Sequence, residues 1–233
     1  MSLAAVIGVG PGLGMSIAHR FGREGHDVAL VSRTDTRHSR YLAELAQAGV
    51  KAEAFTADVR DRDQLLSTLD RIGGEVEVLY YGPGAADPGL PMKPITEITA
   101  ADAQKALTWL YPALDVVGRV LPGMLDRGSG ALLFAGGLSS VVPMPGLGAL
   151  TINAAALRNY AVTLNAALAD KGIYAGTLTI GGLIERGDIH RMITANPGQY
   201  GEIPTLNPDD IAETAWQLTA ERNRAEAVFN VLA

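Results

Sequence analysis

Short apolar runs alternate with longer stretches of helical periodicity along the whole chain, and this alternation restricts the fold more than any other feature. The apolar runs are LAAVIGV (3–9), DVALVS (27–32), KAEAFTA (51–57), EVEVLYY (75–81), ALLFA (131–135), IYAGTLTI (173–180) and AEAVFNV (225–231). Helical patterns lie between them, at 14–25, 38–49, 62–74, 100–126, 148–170 and 207–222. A Pro/Gly loop is expected at 82–94, and a loop with some helix from 182 to 206. Strand–helix alternation at this spacing builds βαβ units with right-handed crossovers, and therefore a parallel sheet. Several runs lack polar alternation, as strands covered by helices on both faces do. The expected architecture is a doubly wound α/β domain, with its ligand site beyond the carboxyl ends of the strands.

The 233 residues show no linker, no internal repeat and no shift in composition, so one domain spanning 1–233 is expected. The net charge is −6 and the basic residues are scattered, apart from a group near position 35. That distribution supplies no footprint for nucleic acid or an anionic membrane. The chain has no cysteine, which removes disulfides and thiolate nucleophiles and suits a reducing cytosol. The first apolar run begins at Leu3 with no basic region before it, too short and glycine-broken for a signal peptide. Positions 128–157 carry no charge, but Gly-Ser-Gly, Gly-Gly and Pro-Met-Pro-Gly interrupt them. A membrane helix needs about 20 mostly apolar residues in one helix. This stretch therefore reads as a buried strand, a loop and a helix start, and the chain as a cytoplasmic protein with a small-molecule ligand. No His/Asp/Glu cluster has metal-ligand spacing, so no metal is expected.

The first strand runs into GVGPGLG, with glycines at Gly8, Gly10, Gly12 and Gly14, and a helix follows at once. Glycines in such a turn permit positive φ and let backbone approach a pyrophosphate, while the helix N-terminus supplies N–H donors. The spacing G-x-G-x-x-G is not met, because position 15 is Met15; the spacing present is Gly8-x-x-x-Gly12-x-Gly14. At the end of the second strand, where an acid would take the ribose hydroxyls, stand Ser32 and Arg33, followed by Arg37 and Arg40. A guanidinium suits a 2′-phosphate bidentately, which favours NADP(H) over NAD(H). Arg40 reads better as part of a solvated helix start.

Together these residues resemble the short-chain dehydrogenase/reductase family over essentially the whole chain. Gly8-x-x-x-Gly12-x-Gly14 is similar to that family's cofactor loop, Asp58-Val59 to its adenine-contacting pair, and Pro122-Gly123-Met124 to its passage from helix to strand. TIGGLI (179–184) stands where the family has Pro-Gly, and Tyr81-Gly82-Pro83-Gly84 where it has Asn-Asn-Ala-Gly. The resemblance implies a Rossmann-type fold with a seven-stranded parallel sheet. It also implies cofactor contacts at Gly8, Gly12, Leu13, Gly14, Ser32, Arg33, Asp58, Val59, Gly82 and Gly181. The long helices at 100–126 and 148–170 imply, by the same resemblance, a homodimer or homotetramer.

The departures concern chemistry. In the family a Tyr and a Lys four residues later share a helix face, a Ser bonds the substrate oxygen, and an Asn holds a relay water. Here the register places Leu150 and Ala154 at Tyr and Lys, Gly137 at Ser and Trp109 at Asn. The stretch LGALTINAAAL (147–157) thus holds no acid, base or phenol. Ser139 and Tyr81 are the weak substitutes, with Ser140, Tyr111, Asn153 and Tyr160 behind them. His19 and His26 are expected in solvent, and His190 and Tyr200 in the 182–206 loop. Two functions fit: an NADP(H)-dependent oxidoreductase with an altered site, reducing a small carbonyl or enone, or a non-catalytic cofactor-binding, sensing or partner protein.

Overall fold

A computed structural model describes residues 2–73, 75–84 and 93–232, so positions 85–92 of the expected 82–94 loop lie outside the described residues. In chain order the strands of the main sheet are β1 (Leu3–Ile7), β2 (Asp27–Ser32), β3 (Ala52–Thr56), β4 (Val76–Tyr81), β5 (Gly130–Gly137), β6 (Ile173–Gly181) and β9 (Glu226–Asn230). They form one seven-stranded sheet in the order β3-β2-β1-β4-β5-β6-β9, with every pairing parallel. The order reverses between β1 and β4, which opens a crevice beyond their carboxyl ends.

Helices cover both faces. On one lie α1 (Leu13–Arg23), α2 (His38–Gln47) and α9 (Pro208–Glu221). Their Ile17, Phe21, Tyr41, Leu45, Ile211 and Leu218 pack on Ala4, Val6, Val28 and Leu30. On the other lie α3 (Arg62–Ile72), α5 (Tyr111–Arg127) and α6 (Ala149–Leu168). Leu65, Leu69, Val116, Met124, Leu157 and Ala161 there meet Ala5, Ile7, Leu79 and Phe134. Alternate residues of β1 therefore enter opposite cores, which is why its sequence is apolar throughout.

The pattern expected as one helix at 100–126 is two: α4 (Ala100–Leu107) and α5. Thr99 opens α4 with a capping box shared with Asp102. Pro112, in the first turn of α5, supplies no N–H to continue α4. The chain turns at Thr108–Leu110, where the N–H groups of Trp109 and Leu110 reach back three residues to the carbonyls of Ala106 and Leu107. The 182–206 segment also holds more order than expected. Leu183–Ile184 (β7) and Thr205–Leu206 (β8) pair in parallel, and between them lie α7 (Asp188–Thr194) and α8 (Pro197–Tyr200). The side chain of Tyr200 lies outside what is described.

Candidate functional site

A cleft of about 440 Å³ opens beyond the carboxyl ends of β1, β2, β4, β5 and β6. Gly8 to Gly14, Ser32, Arg33, Val59, Gly82, Ala135, Gly136 and Gly182 to Ile184 are among its lining residues. Backbone hydrogen bonds lash its rims together. The N–H groups of Gly8 and Val9 both donate to the Val31 carbonyl at 2.9 and 3.0 Å, and the Gly82 N–H donates to Ile7 at 2.9 Å.

The glycines owe their places to these close approaches. Gly8 has φ +90°, and a Cβ on it would stand 2.5 Å from the Pro83 nitrogen. A Cβ on Gly14 would stand 2.8 Å from the Val9 Cα, and one on Gly12 would stand 3.0 Å from the Glu185 carbonyl oxygen. Gly10, outside the expected spacing, has open space beside it. Gly12 also starts α1 with no side-chain cap. The first-turn N–H groups therefore have no side-chain acceptor from their own cap, the arrangement that favours an anion.

Of the expected cofactor residues, Gly8, Gly12, Leu13, Gly14, Ser32, Arg33, Val59 and Gly82 line the cleft. Two differ. Asp58 turns its carboxylate to Arg60, which bonds it through Nη2 at 3.0 Å and Nε at 3.2 Å, and these bonds hold its pKa below the usual carboxylate range. Gly181 sits behind the cleft, where a Cβ would run into the side chain of Leu138; its neighbour Gly182 takes the lining position. Among the other arginines, Arg40 pairs with Glu44 at 3.2 Å on the surface of α2, as expected. Arg37 instead reaches across to Asp188 at the start of α7, at 2.7 and 2.8 Å. Arg33 lines the cleft with no ion pair among the described residues.

The expected catalytic positions Trp109, Gly137, Leu150 and Ala154 are not among the residues that line the cleft. Gly137 ends β5, and a short 3-10 turn, Leu138–Ser140, follows and packs against α6. A Cβ on Gly137 would lie 3.6 Å from Ser139 Oγ, so that hydroxyl borders the space a residue-137 side chain would fill. Leu150 packs against the core under α6, and Ala154 is buried. Trp109 lies in the break between α4 and α5, buried, with the Arg60 guanidinium 5.2 Å from its ring centre.

Tyr81 is committed to the core: its hydroxyl donates to the Trp109 carbonyl at 2.9 Å, and burial pushes its pKa up. Tyr160 packs edge-on against Phe134, while Tyr111 stands exposed on α5. Ser140 Oγ, Asn153 Oδ1 and His190 Nδ1 are buried atoms without a hydrogen-bond partner among the described residues. His26 is half-buried rather than fully solvated: Ser2 Oγ lies 2.6 Å from its Nδ1, and Phe21 and Trp216 pack on its ring. Burial lowers the pKa of both His26 and His19. Among the described residues no group of three His, Cys, Asp or Glu side chains could hold a metal, and no helix is long and apolar enough to cross a membrane.

Comparison with known proteins follows the same lines. Residues 2–186 match the model of the short chain dehydrogenase family. The 2,3-dihydro-2,3-dihydroxybenzoate dehydrogenase of Bacillus subtilis is 26% identical over 77% of this chain and 69% of its own. The NADP-dependent 3-hydroxy acid dehydrogenase YdfG of Salmonella typhi is 25% identical over 92% of this chain and 87% of its own. Among solved structures, a 7α-hydroxysteroid dehydrogenase complexed with NADH and 7-oxo glycochenodeoxycholic acid superposes with a TM-score of 0.82. It is 21% identical and the match covers 99% of this chain and 92% of that one, a likeness of fold.

Proposed function

The chain belongs to the short chain dehydrogenase family, and from that premise we propose that it is an NADP(H)-dependent oxidoreductase working without the family's phenolic proton donor. The observation that carries the cofactor choice is Arg33, a guanidinium lining the cleft at the end of β2 where no carboxylate stands. The cleft fits the group: the backbone of Gly8, Gly12 and Gly14 lines it, and α1 begins there uncapped. Backbone N–H groups at Gly12 to Gly14 would hold the pyrophosphate, Ser32 and Arg33 the 2′-phosphate, and Val59 the adenine side. When bound, the nicotinamide supplies the hydride.

The chain's own side chains supply little proton chemistry. Leu150 and Ala154 neither donate nor accept a proton, and Tyr81 is occupied by Trp109. Ser139 offers a hydroxyl beside the vacant space at Gly137 and would hydrogen-bond a substrate oxygen, with solvent as the proton source. That set suits a small carbonyl or enone that needs little acid assistance. The reading places the protein in the cytoplasm, as a homodimer or homotetramer.

The test begins with binding. Arg33→Ala should weaken NADPH by about 10–100-fold, the value of one charge-assisted hydrogen bond, and leave NADH within twofold. Wild-type protein that binds neither dinucleotide would overturn the reading. Turnover comes next, on a panel of carbonyls and enones, where Ser139→Ala should lower the rate about 10–100-fold. A second reading, a cofactor-binding protein without catalysis, is favoured by the aliphatic pair Leu150 and Ala154. NADPH binding with no oxidation on any substrate would select it.

A further inference from the structure

The segment 183–188 crosses the glycine loop as a strap, and ion pairs fix it on two sides. Arg186, at the unusual φ of +65°, sends its guanidinium to Asp209 on α9 at 2.8 Å and to Ser16 on α1 at 3.1 Å. Between these ties the Glu185 carbonyl rests against Gly12. On the other side Asp188, which lines the cleft, accepts two hydrogen bonds from Arg37 at the end of the β2–α2 connection. Arg191 bonds the same carboxylate. Two arginines therefore follow β2 in different states: Arg33 lines the cleft without an ion pair among the described residues, and Arg37 is taken by the strap.

We infer that Asp188 is a specificity-determining residue: it masks Arg37 in the free protein, and a phosphate on the adenosine 2′-oxygen takes the guanidinium from it. This rests on the cleft being a dinucleotide site. The exchange is physically favourable. The Arg37 and Asp188 side chains are 41% and 54% exposed, so water screens the pair and reaches the guanidinium that a phosphate would take. A phosphate monoester carries more charge than a carboxylate and accepts a guanidinium bidentately. A dinucleotide without the 2′-phosphate has nothing to offer Arg37, so the strap keeps it. Discrimination between the two cofactors then depends on a carboxylate 151 residues along the chain from the arginine it holds.

Calorimetric titration of 2′,5′-ADP and 5′-ADP tests this on wild type, Asp188→Asn, Arg37→Ala and the double variant. Asp188→Asn should tighten 2′,5′-ADP by about three- to tenfold, since it frees Arg37 from a pair of about 1 kcal/mol. It should leave 5′-ADP within twofold. Arg37→Ala should weaken 2′,5′-ADP about tenfold or more, and the double variant should match Arg37→Ala. Asp188→Ala, which leaves no amide to bond Arg37, should repeat the gain. No gain in either Asp188 variant overturns the inference. A gain that persists without Arg37 also overturns it, because repulsion of the ligand by Asp188, or Arg191 freed from the same carboxylate, would then be the cause. Either result would leave the dinucleotide reading standing. Wild-type protein that binds neither ADP would remove both.

Discussion

Gly8 and Gly10 are two residues apart in one loop, and replacing each with Ala should have opposite consequences. At Gly8 the backbone has φ +90°, a conformation that costs an L-residue about 1–2 kcal/mol. The added Cβ would also stand 2.5 Å from the nitrogen and 2.6 Å from the Cα of Pro83, and 2.8 Å from the carbonyl carbon of Gly82. Those are backbone atoms and cannot rotate aside, so the β1 and β4 loops must part. Overpacking of this kind costs about 1–3 kcal/mol more. The sum, about 2–5 kcal/mol, is a large share of a typical stability of about 5–15 kcal/mol. For a chain of this length it should lower the melting temperature by roughly 4–20 °C. Gly10 is not at positive φ and has no atom within 4 Å of its would-be Cβ. Gly10→Ala should hold stability or raise it by about 0.4–1 kcal/mol, by restricting the unfolded chain. Scanning calorimetry on both variants measures the contrast. A Gly8→Ala protein melting within 2 °C of wild type, or a Gly10→Ala protein losing as much as Gly8→Ala, would refute the account of the loop.

Installing Leu150→Tyr, Ala154→Lys and Gly137→Ser together should raise NADPH oxidation on a generic carbonyl panel by about 10²-fold or more, the usual value of a general acid; no rise would show the register to be wrong. Tyr111, Leu114 and Leu125 form an exposed apolar stripe along one side of α5. Leu114→Asp should turn a dimer or tetramer into a monomer by light scattering, whereas a wild type already monomeric at micromolar concentration would contradict the assembly. Arg158 on α6 bonds Glu226 on β9 at 2.6 and 2.7 Å, and Thr179 donates to the same carboxylate at 2.7 Å. The Arg158 hydrogen bonds hold the Glu226 pKa below its ordinary value. Its stabilisation is therefore complete above the unfolded value near about 4.3 and is lost as pH falls through the folded value. Glu226→Gln should cost about 1–3 kcal/mol near neutrality and flatten the acid side of the stability profile; a variant as acid-sensitive as wild type would exclude the pair as the cause.

What could be read in the sequence follows from how each feature is encoded. Several strands are legible because their residues enter two cores and leave near-continuous apolar runs, as Ala4 to Ile7 do, while β3 and β9 at the sheet edges show as shorter, partly polar runs between helical patterns. The division of 100–126 is not legible, because the apolar spacing of α4 continues into α5 while the turn depends on one missing N–H at Pro112. The β7–β8 bridge is two residues on each side, too short for any period to show. Gly181 resembles a family motif position, but its missing side chain makes room for Leu138, a contact that no local spacing records. Arg37 is legible as a charge after β2, but its partner Asp188 lies beyond five intervening strands, and only the three-dimensional fold brings the two together.

The cofactor cleft and the proposed proton chemistry rest on different physical demands. Gly8, Gly12 and Gly14 are dictated by how closely the loops of β1, β4 and β6 must approach, so the topology itself demands them whether or not the protein catalyses anything. A proton donor is demanded only by a reaction. At positions 150 and 154 of α6 a leucine packs on the core and an alanine is buried, and neither the helix nor the sheet calls for a phenol or an ammonium there. A shared fold therefore supports the cofactor cleft far more strongly than it supports turnover. The two are separate claims, resting on separate residues. Arg33 answers for the first through binding alone, and Ser139 answers for the second only through a rate.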